Sequence, residues 1–427
     1  MNTVLLVRRN KKILTLLYRD NRLMRAEVCD ETESVLDNIY LGRVKKVVPN
    51  IGAAFVEFLP GKLCFLPLKD CREPILANRL YEGTFQGELK AEDEIAVQIV
   101  RDASGTKEYG ATADLSFAGK YLVLTTGKRQ TGFSAKLSKE QKALIRVLIS
   151  EEEPFRDILK RYGLVVRTNV ISLLQNDCEP CSEYADTGIQ SSVESQARVK
   201  EILLREVTFL AEQADNLKRN APHWTCYSIL KKSETPYLKA LQNYYEWEYD
   251  RIETDDDKIF HELKQYLTEN HLEAMLKKLV FYQDEMLPLS NLYSVETRLS
   301  EALDRKVWMK SGAYLVIDRA EALTCIDVNS GKCVDKKNPQ EHYERINLEA
   351  AEEIAHQLML RNLSGIIIID FINMKSEEAN RRVMQRLRTV LSRDPVKTDV
   401  IDMTPLGLVE VTRKKGKKPL YEQLAEQ

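Results

Sequence analysis

Two aspartates carry the clearest chemistry in the sequence. Asp327 ends the apolar stretch ALTCID and Asp370 ends GIIIID. If their strands lie side by side, both carboxylates emerge at one sheet edge, where open α/β sheets hold their ligands. Two converging carboxylates suit a hard divalent cation, and Mg²⁺ with several waters retained is the expected cofactor. The same residues also admit a structural reading. Asp370 could cap a helix beginning near Ser376, and Asp327 could sit in an Asp-Val-Asn-Ser-Gly turn. A second candidate is Arg167-Thr168, at the end of the expected strand Leu164–Val166. A planar guanidinium with a neighbouring hydroxyl can grip a phosphate; a structural salt bridge is the alternative. A third is Phe55, Phe58 and Phe65, interleaved with Lys45, Lys46, Lys62 and Lys69. Aromatics among lysines stack bases and hold phosphates on barrel faces, although phenylalanine on a strand is equally a core residue. Cys178 and Cys181 form the sequence's one CxxC, half of a zinc site at most, and read better as a plain loop.

The elements that must position these groups follow from the patterns. Between the two aspartates, Ile346, Ala350, Ile354 and Leu358 recur at helical spacing, with Ala351 and Ala355 beside them. Strand, long helix, strand implies a crossover that lays the two strands parallel. A second helix over about 377–391 and the strands TDVIDM and GLVEVTR complete this region. Arg413–Lys418 is a basic patch that suits phosphate contact or a solvated tail. Upstream, TVLLVRR, KILTLLYR and LMRAEVCD read as a meander of strands. Residues 36–118 hold short strands with turns at Pro49-Asn50 and Pro60-Gly61, the pattern of a small barrel. Helices are expected near 139–149 and over about 192–219, and Asp255–Asp257 reads as the acidic opening of a helix.

The 427 residues imply roughly two to four domains. A hydrophobic content of 44% and charged content of 30% fit a globular chain, and the net charge of −2 requires any nucleic-acid surface to be local. The aliphatic runs are too short for a membrane span. The scattered cysteines and the lack of a leader at Met1 give the expectation of a reducing cytoplasm.

Taken together, AFVEF…FLPL, GLVVRT, EALTCIDVNSG, NLEAAEEIAHQLMLRNLSGIIIIDFINM and LGLVEVTRKK resemble the ribonuclease E/G family, in order and over nearly the whole chain. The resemblance implies an α+β chain of several subdomains. These are a split RNase H-like subdomain (1–35 and 223–302), an inserted S1-like OB-fold barrel (36–118), a 5′ sensor region (119–222) and a DNase I-like α/β catalytic subdomain (303–427). It implies a Mg²⁺-dependent endoribonuclease that cuts single-stranded RNA, in rRNA processing, other RNA processing or decay, with a homo-oligomer left open. A catalytically silent RNA-binding or ribosome-assembly factor is the rival. By the same resemblance Asp327 and Asp370 hold the metal, and Asn329 orients them or the scissile phosphate. Arg167 and Thr168 bind a 5′-monophosphate in a pocket lined by Gly119 and Val123. Phe55 and Phe65 stack bases, and Lys107 matches a nearby RNA contact. The chain departs from the family pattern at four points. No cysteine follows Cys333, where the family often has a zinc-linking CPxC. NVISLLQNDCEPC replaces a Gly-rich stretch after Thr168, Asn373 replaces an aspartate, and the spacing near Lys107 gains two residues.

Overall fold

A computed structural model describes residues 1–31, 34–79, 88–103, 108–150, 153–174, 193–284, 286–331, 339–392 and 394–425. Lys107, Cys178 and Cys181 lie outside the described residues. The chain is mixed α/β and forms two compact units, one of Met1–Glu31 with Glu248–Gln427, the other of Thr32–Trp247.

The first unit contains two sheets. The N-terminal meander folds as expected into Asn2–Arg9, Lys12–Arg19 and Arg22–Asp30. Its tight turns place Asn10, Asp20 and Asn21 at positive φ, which short polar side chains tolerate. Asn2–Arg9 also pairs in parallel with Arg251–Thr254, which pairs with Leu279–Phe281. Leu5, Leu14 and Leu16 are buried with Leu289, Leu299 and Leu420, so the helices at 289–303 and 420–425 cover this sheet.

The second sheet has six strands in the order Lys306–Trp308, Tyr314–Arg319, Leu323–Asn329, Gly365–Asp370, Leu408–Arg413, Thr398–Met403. Leu323–Asn329 and Gly365–Asp370 are parallel, joined by the helix Pro339–Leu360. That helix and Glu377–Leu391 bury one face of the sheet. Ile317, Ile326, Val328, Ile367, Ile369 and Val411 pack there with Ile346, Ile354, Leu358 and Leu387. The alternate residues of each strand face outward and are partly or largely exposed.

The second unit holds a closed five-stranded barrel built from Ile39–Val48, Ala53–Leu59, Lys62–Pro67, Glu94–Arg101 and Tyr109–Thr112. Pairing of the first of these with Glu94–Arg101 closes it. Ile229–Lys231 adds to Ile39–Val48 as an outer strand. A four-stranded sheet follows, in the order Thr131–Phe133, Gly163–Val166, Leu122–Thr125, Ser116–Ala118. The helices Lys139–Ser150, Glu153–Arg161 and Val193–Asn220 supply buried residues to its core. Among the described residues, no helix is long and apolar enough to cross a membrane.

Candidate active site and RNA-contacting surfaces

Register decides the aspartate pair. Asp327 and Asp370 are directly opposed partners in the parallel ladder, so their side chains leave the same face of neighbouring strands, which lie about 4.8 Å apart. Both are exposed, on the face that the helices leave open. Asp327 lies within its strand, not in a turn, and Asn329 Nδ2 donates to its Oδ2 at 2.7 Å. Asp370 does not cap the next helix; Ser376 does, its hydroxyl accepting from Ala379 N at 3.3 Å. Both carboxylates are therefore spared for other work. Among the described residues no cluster of three or more His, Cys, Asp or Glu side chains could hold a metal. Two carboxylates with an adjacent amide oxygen fit an ion that keeps most of its water, which is the habit of Mg²⁺.

Sequence patterns did not single out the residue that fixes the chain beyond Asp370. Asn347 is fully buried, with Nδ2 donating to the Ile372 carbonyl at 2.8 Å and Oδ1 accepting from Ile372 N at 3.1 Å. Both bonds hold the segment that leaves the strand at Asp370. Its signal was a polar residue four before Ala351, on the apolar side of the helix. The Arg413–Lys418 patch is less basic in effect than it reads. Arg413 is buried and forks onto Asp394, with Nε to Oδ2 at 2.7 Å and Nη2 to Oδ1 at 3.2 Å. Lys417 pairs with Glu27.

In the second unit the fold gathers Arg167, Thr168, Gly119 and Val123. The antiparallel pair Leu122–Thr125 and Gly163–Val166 sets Val123 opposite Val165 and ends at Arg167. Arg167 Nη1 donates to the Gly119 carbonyl at 2.5 Å and to Gln242 Oε1 at 3.1 Å. Thr168 Oγ1 lies 2.7 Å from Ser134 Oγ. Sequence reading missed Glu206, from the long helix, at the centre of this group. Its carboxylate accepts from Tyr121 N at 3.0 and 3.1 Å. A Cβ at position 119 would lie 2.1 Å from Glu206 Oε1, so only glycine leaves room for it. Burial pushes the Glu206 carboxyl up to about 7, against the opposing pull of the Tyr121 and Lys120 amides and the Arg167 and Lys120 charges.

On the barrel, Lys46 stands opposite Phe55 and Phe55 opposite Phe65, which makes one row across three strands. The two rings are part-exposed and meet edge to face at 6.0 Å. Phe58 corrects the expectation of a third stacking ring. It is completely buried, packed edge-on against Tyr40 at 5.1 Å and Tyr109 at 5.2 Å. It lies an odd number of residues from Phe55, so the pleat turns it inward. Lys45 pairs with Glu57 at 3.0 Å.

These features define a class: a mixed α/β protein that combines an oligonucleotide-binding type of barrel with a sheet bearing an in-register carboxylate pair. The model of the ribonuclease E/G family matches residues 176–416. The chain is 32% identical to ribonuclease G of Salmonella typhimurium, over 99% of this chain and 82% of that protein. It is 32% identical to ribonuclease G of Haemophilus influenzae, over 92% of this chain and 75% of that one. It is also 29% identical to ribonuclease E of Escherichia coli, over 90% of this chain and 34% of that protein. The chain belongs to the ribonuclease E/G family.

Proposed function

We propose that this endoribonuclease hydrolyses single-stranded RNA with Mg²⁺, leaving 5′-phosphate and 3′-hydroxyl ends, in RNA processing (rRNA included) or decay in the cytoplasm. The observation that carries the reading is the register of Asp327 with Asp370 on an exposed sheet face. A binding protein has no use for two like charges set side by side, because they repel each other and a phosphate alike. A cation between them reverses that. Asp327 and Asp370 would hold Mg²⁺, which supplies polarisation of a phosphoryl oxygen and a lowered pKa for water. Asn329 fixes the Asp327 carboxylate by its 2.7 Å bond, and Asn347 fixes the chain after Asp370. Positioning is thereby complete before substrate arrives.

Phe55 and Phe65 stack bases, and Lys46 in the same row meets phosphate. We read the barrel as S1-like, the five-stranded sheet as part of an RNase H-like subdomain, and the six-stranded sheet as DNase I-like. Arg167, Thr168, Gly119 and Val123 form the pocket for a 5′-monophosphate. Glu206 already occupies backbone donors of that pocket, so stimulation by the monophosphate is modest while Glu206 is charged.

The test is cleavage of an A/U-containing single-stranded RNA and its DNA counterpart, with Mg²⁺ or EDTA, by wild type and by Asp327→Asn and Asp370→Asn. Internal cutting of RNA alone, lost with EDTA and lowered at least about a hundredfold in each variant, is the expected result. RNA binding without cutting by wild type would replace this reading with that of a binding factor.

A further inference from the structure

The carboxylate pair is flanked on its own sheet face by an aromatic site that the reaction described above does not use. On that face Asn329 stands opposite Tyr314, and Tyr314 opposite Trp308. The next row along the strands runs Lys306, Val316, Asp327, Asp370. Trp308 therefore sits two strands from Asn329, about 10 Å at the usual strand spacing. Trp308 is 63% exposed, an unusual state for the largest apolar side chain when no partner covers it. Its ring lies 5.1 Å from that of Tyr314, tilted by 58°. Lys306 lies against both rings, with Nζ 3.9 Å from the Trp308 centroid and 3.6 Å from that of Tyr314.

We propose that Trp308 and Tyr314 stack the base of a nucleotide flanking the scissile phosphate, and that Lys306 takes the adjoining phosphate. The proposal rests on the reading of Asp327 and Asp370 as the cutting site. Three observations single out a nucleotide as the occupant. The rings share a face and a ladder with the carboxylates, so a strand whose phosphate lies at Asp327 and Asp370 can continue over Asn329 and Tyr314 onto them. An exposed indole beside a phenol offers π surface that every base can use, whatever its sequence. The cation beside them complements a polyanion and a base plane together, as in other single-strand sites. Without RNA the ammonium rests on the rings. With RNA the base takes its place on them, and the four-carbon stem of Lys306 lets the ammonium reach phosphate. Trp308 and Tyr314 are thus positioning and specificity residues, which act on where the strand lies and not on the bond that breaks.

The experiment is a cycle between protein and substrate. Wild type, Trp308→Ala, Trp308→Phe and Tyr314→Ala are assayed on one single-stranded RNA and on a series of that RNA with a single abasic nucleotide at each of the positions nearest the cut. Wild type should lose roughly tenfold in kcat/KM, carried by KM, at one abasic position. Trp308→Ala should lose the same factor on intact RNA and lose nothing further at that position, whereas Trp308→Phe should recover most of it. Equal abasic penalties in wild type and Trp308→Ala at every position would overturn the proposal, as would an unchanged KM in Trp308→Ala. The same series is read by equilibrium binding to Asp370→Asn, so failure of the stacking site is distinguished from failure of the cutting reading. Wild type that cuts no RNA refutes the latter alone.

Discussion

Glu206→Gln tests the electrostatics of the second unit directly. The Glu206 carboxyl rises from an ordinary 4.5 to about 7, burial being the main cause. At about 1.36 kcal/mol per unit, that shift corresponds to roughly 3 kcal/mol of folding free energy. An acid whose folded pKa is raised binds protons more tightly in the folded state, so its stabilisation is complete below about 4.5 and is lost as pH rises through about 7. Wild type should therefore weaken between pH 5 and 8 by about 2–3 kcal/mol around Gly119–Val123 through this group alone. Glutamine keeps an oxygen to accept from Tyr121 N and has no charge to bury, so the variant should lack that slope and exceed wild type in stability at pH 8. Hydrogen exchange of the Ser116–Thr125 segment in both proteins, compared at each pH, isolates the local effect, because intrinsic exchange cancels. The variant should also show a larger preference for 5′-monophosphate RNA at pH 8, since its side chain no longer sets a negative charge against the phosphate. Identical pH dependence in the two proteins would refute the argument, and it would mean that the Tyr121 amide and the Arg167 charge fully offset burial.

The remaining predictions concern the barrel and the catalytic sheet. Phe55→Ala and Phe65→Ala should each weaken single-stranded RNA binding by about 1–3 kcal/mol and leave the fold intact, whereas Phe58→Ala should cost about 3–5 kcal/mol of barrel stability; filter binding and denaturant unfolding separate the two. Asn347→Ala leaves both polar groups of Ile372 without their partner, so it should destabilise by about 1–3 kcal/mol and lower kcat more than it raises KM, as the chain beyond Asp370 loosens. Arg413→Ala takes the charged partner from the buried Asp394 carboxylate and leaves it the Val396 amide and the Thr398 hydroxyl; it should cost about 3–5 kcal/mol, read as a lowered thermal midpoint with no change in the salt dependence of RNA binding.

Much of the architecture was legible in residue periodicity. The run Ile346, Ala350, Ile354, Leu358 marked the crossover helix, and the apolar stretches closed by Asp327 and Asp370 marked its two strands, because burying one helix face against a sheet demands those spacings. The start of the next helix near Ser376 was legible too, although its cap is Ser376 itself and not Asp370. Even the inward turn of Phe58 was written in its odd offset from Phe55, since alternation along a strand is fixed by the pleat. Other features depend on how distant segments slide and meet. A crossover makes two strands parallel, but only the packed sheet set Asp327 level with Asp370, and a slip of one residue would have sent one carboxylate to the core. Only the packed sheet likewise brought Trp308 and Tyr314 into the ladder beside Asn329. Glu206 reached Gly119 because a long helix crosses a sheet whose residues lie far away in sequence. Local pattern determines what each segment is, because it depends on neighbours a few residues apart. Which carboxylate, ring or amide meets which is decided by long-range packing, where register and burial are set by the whole unit at once.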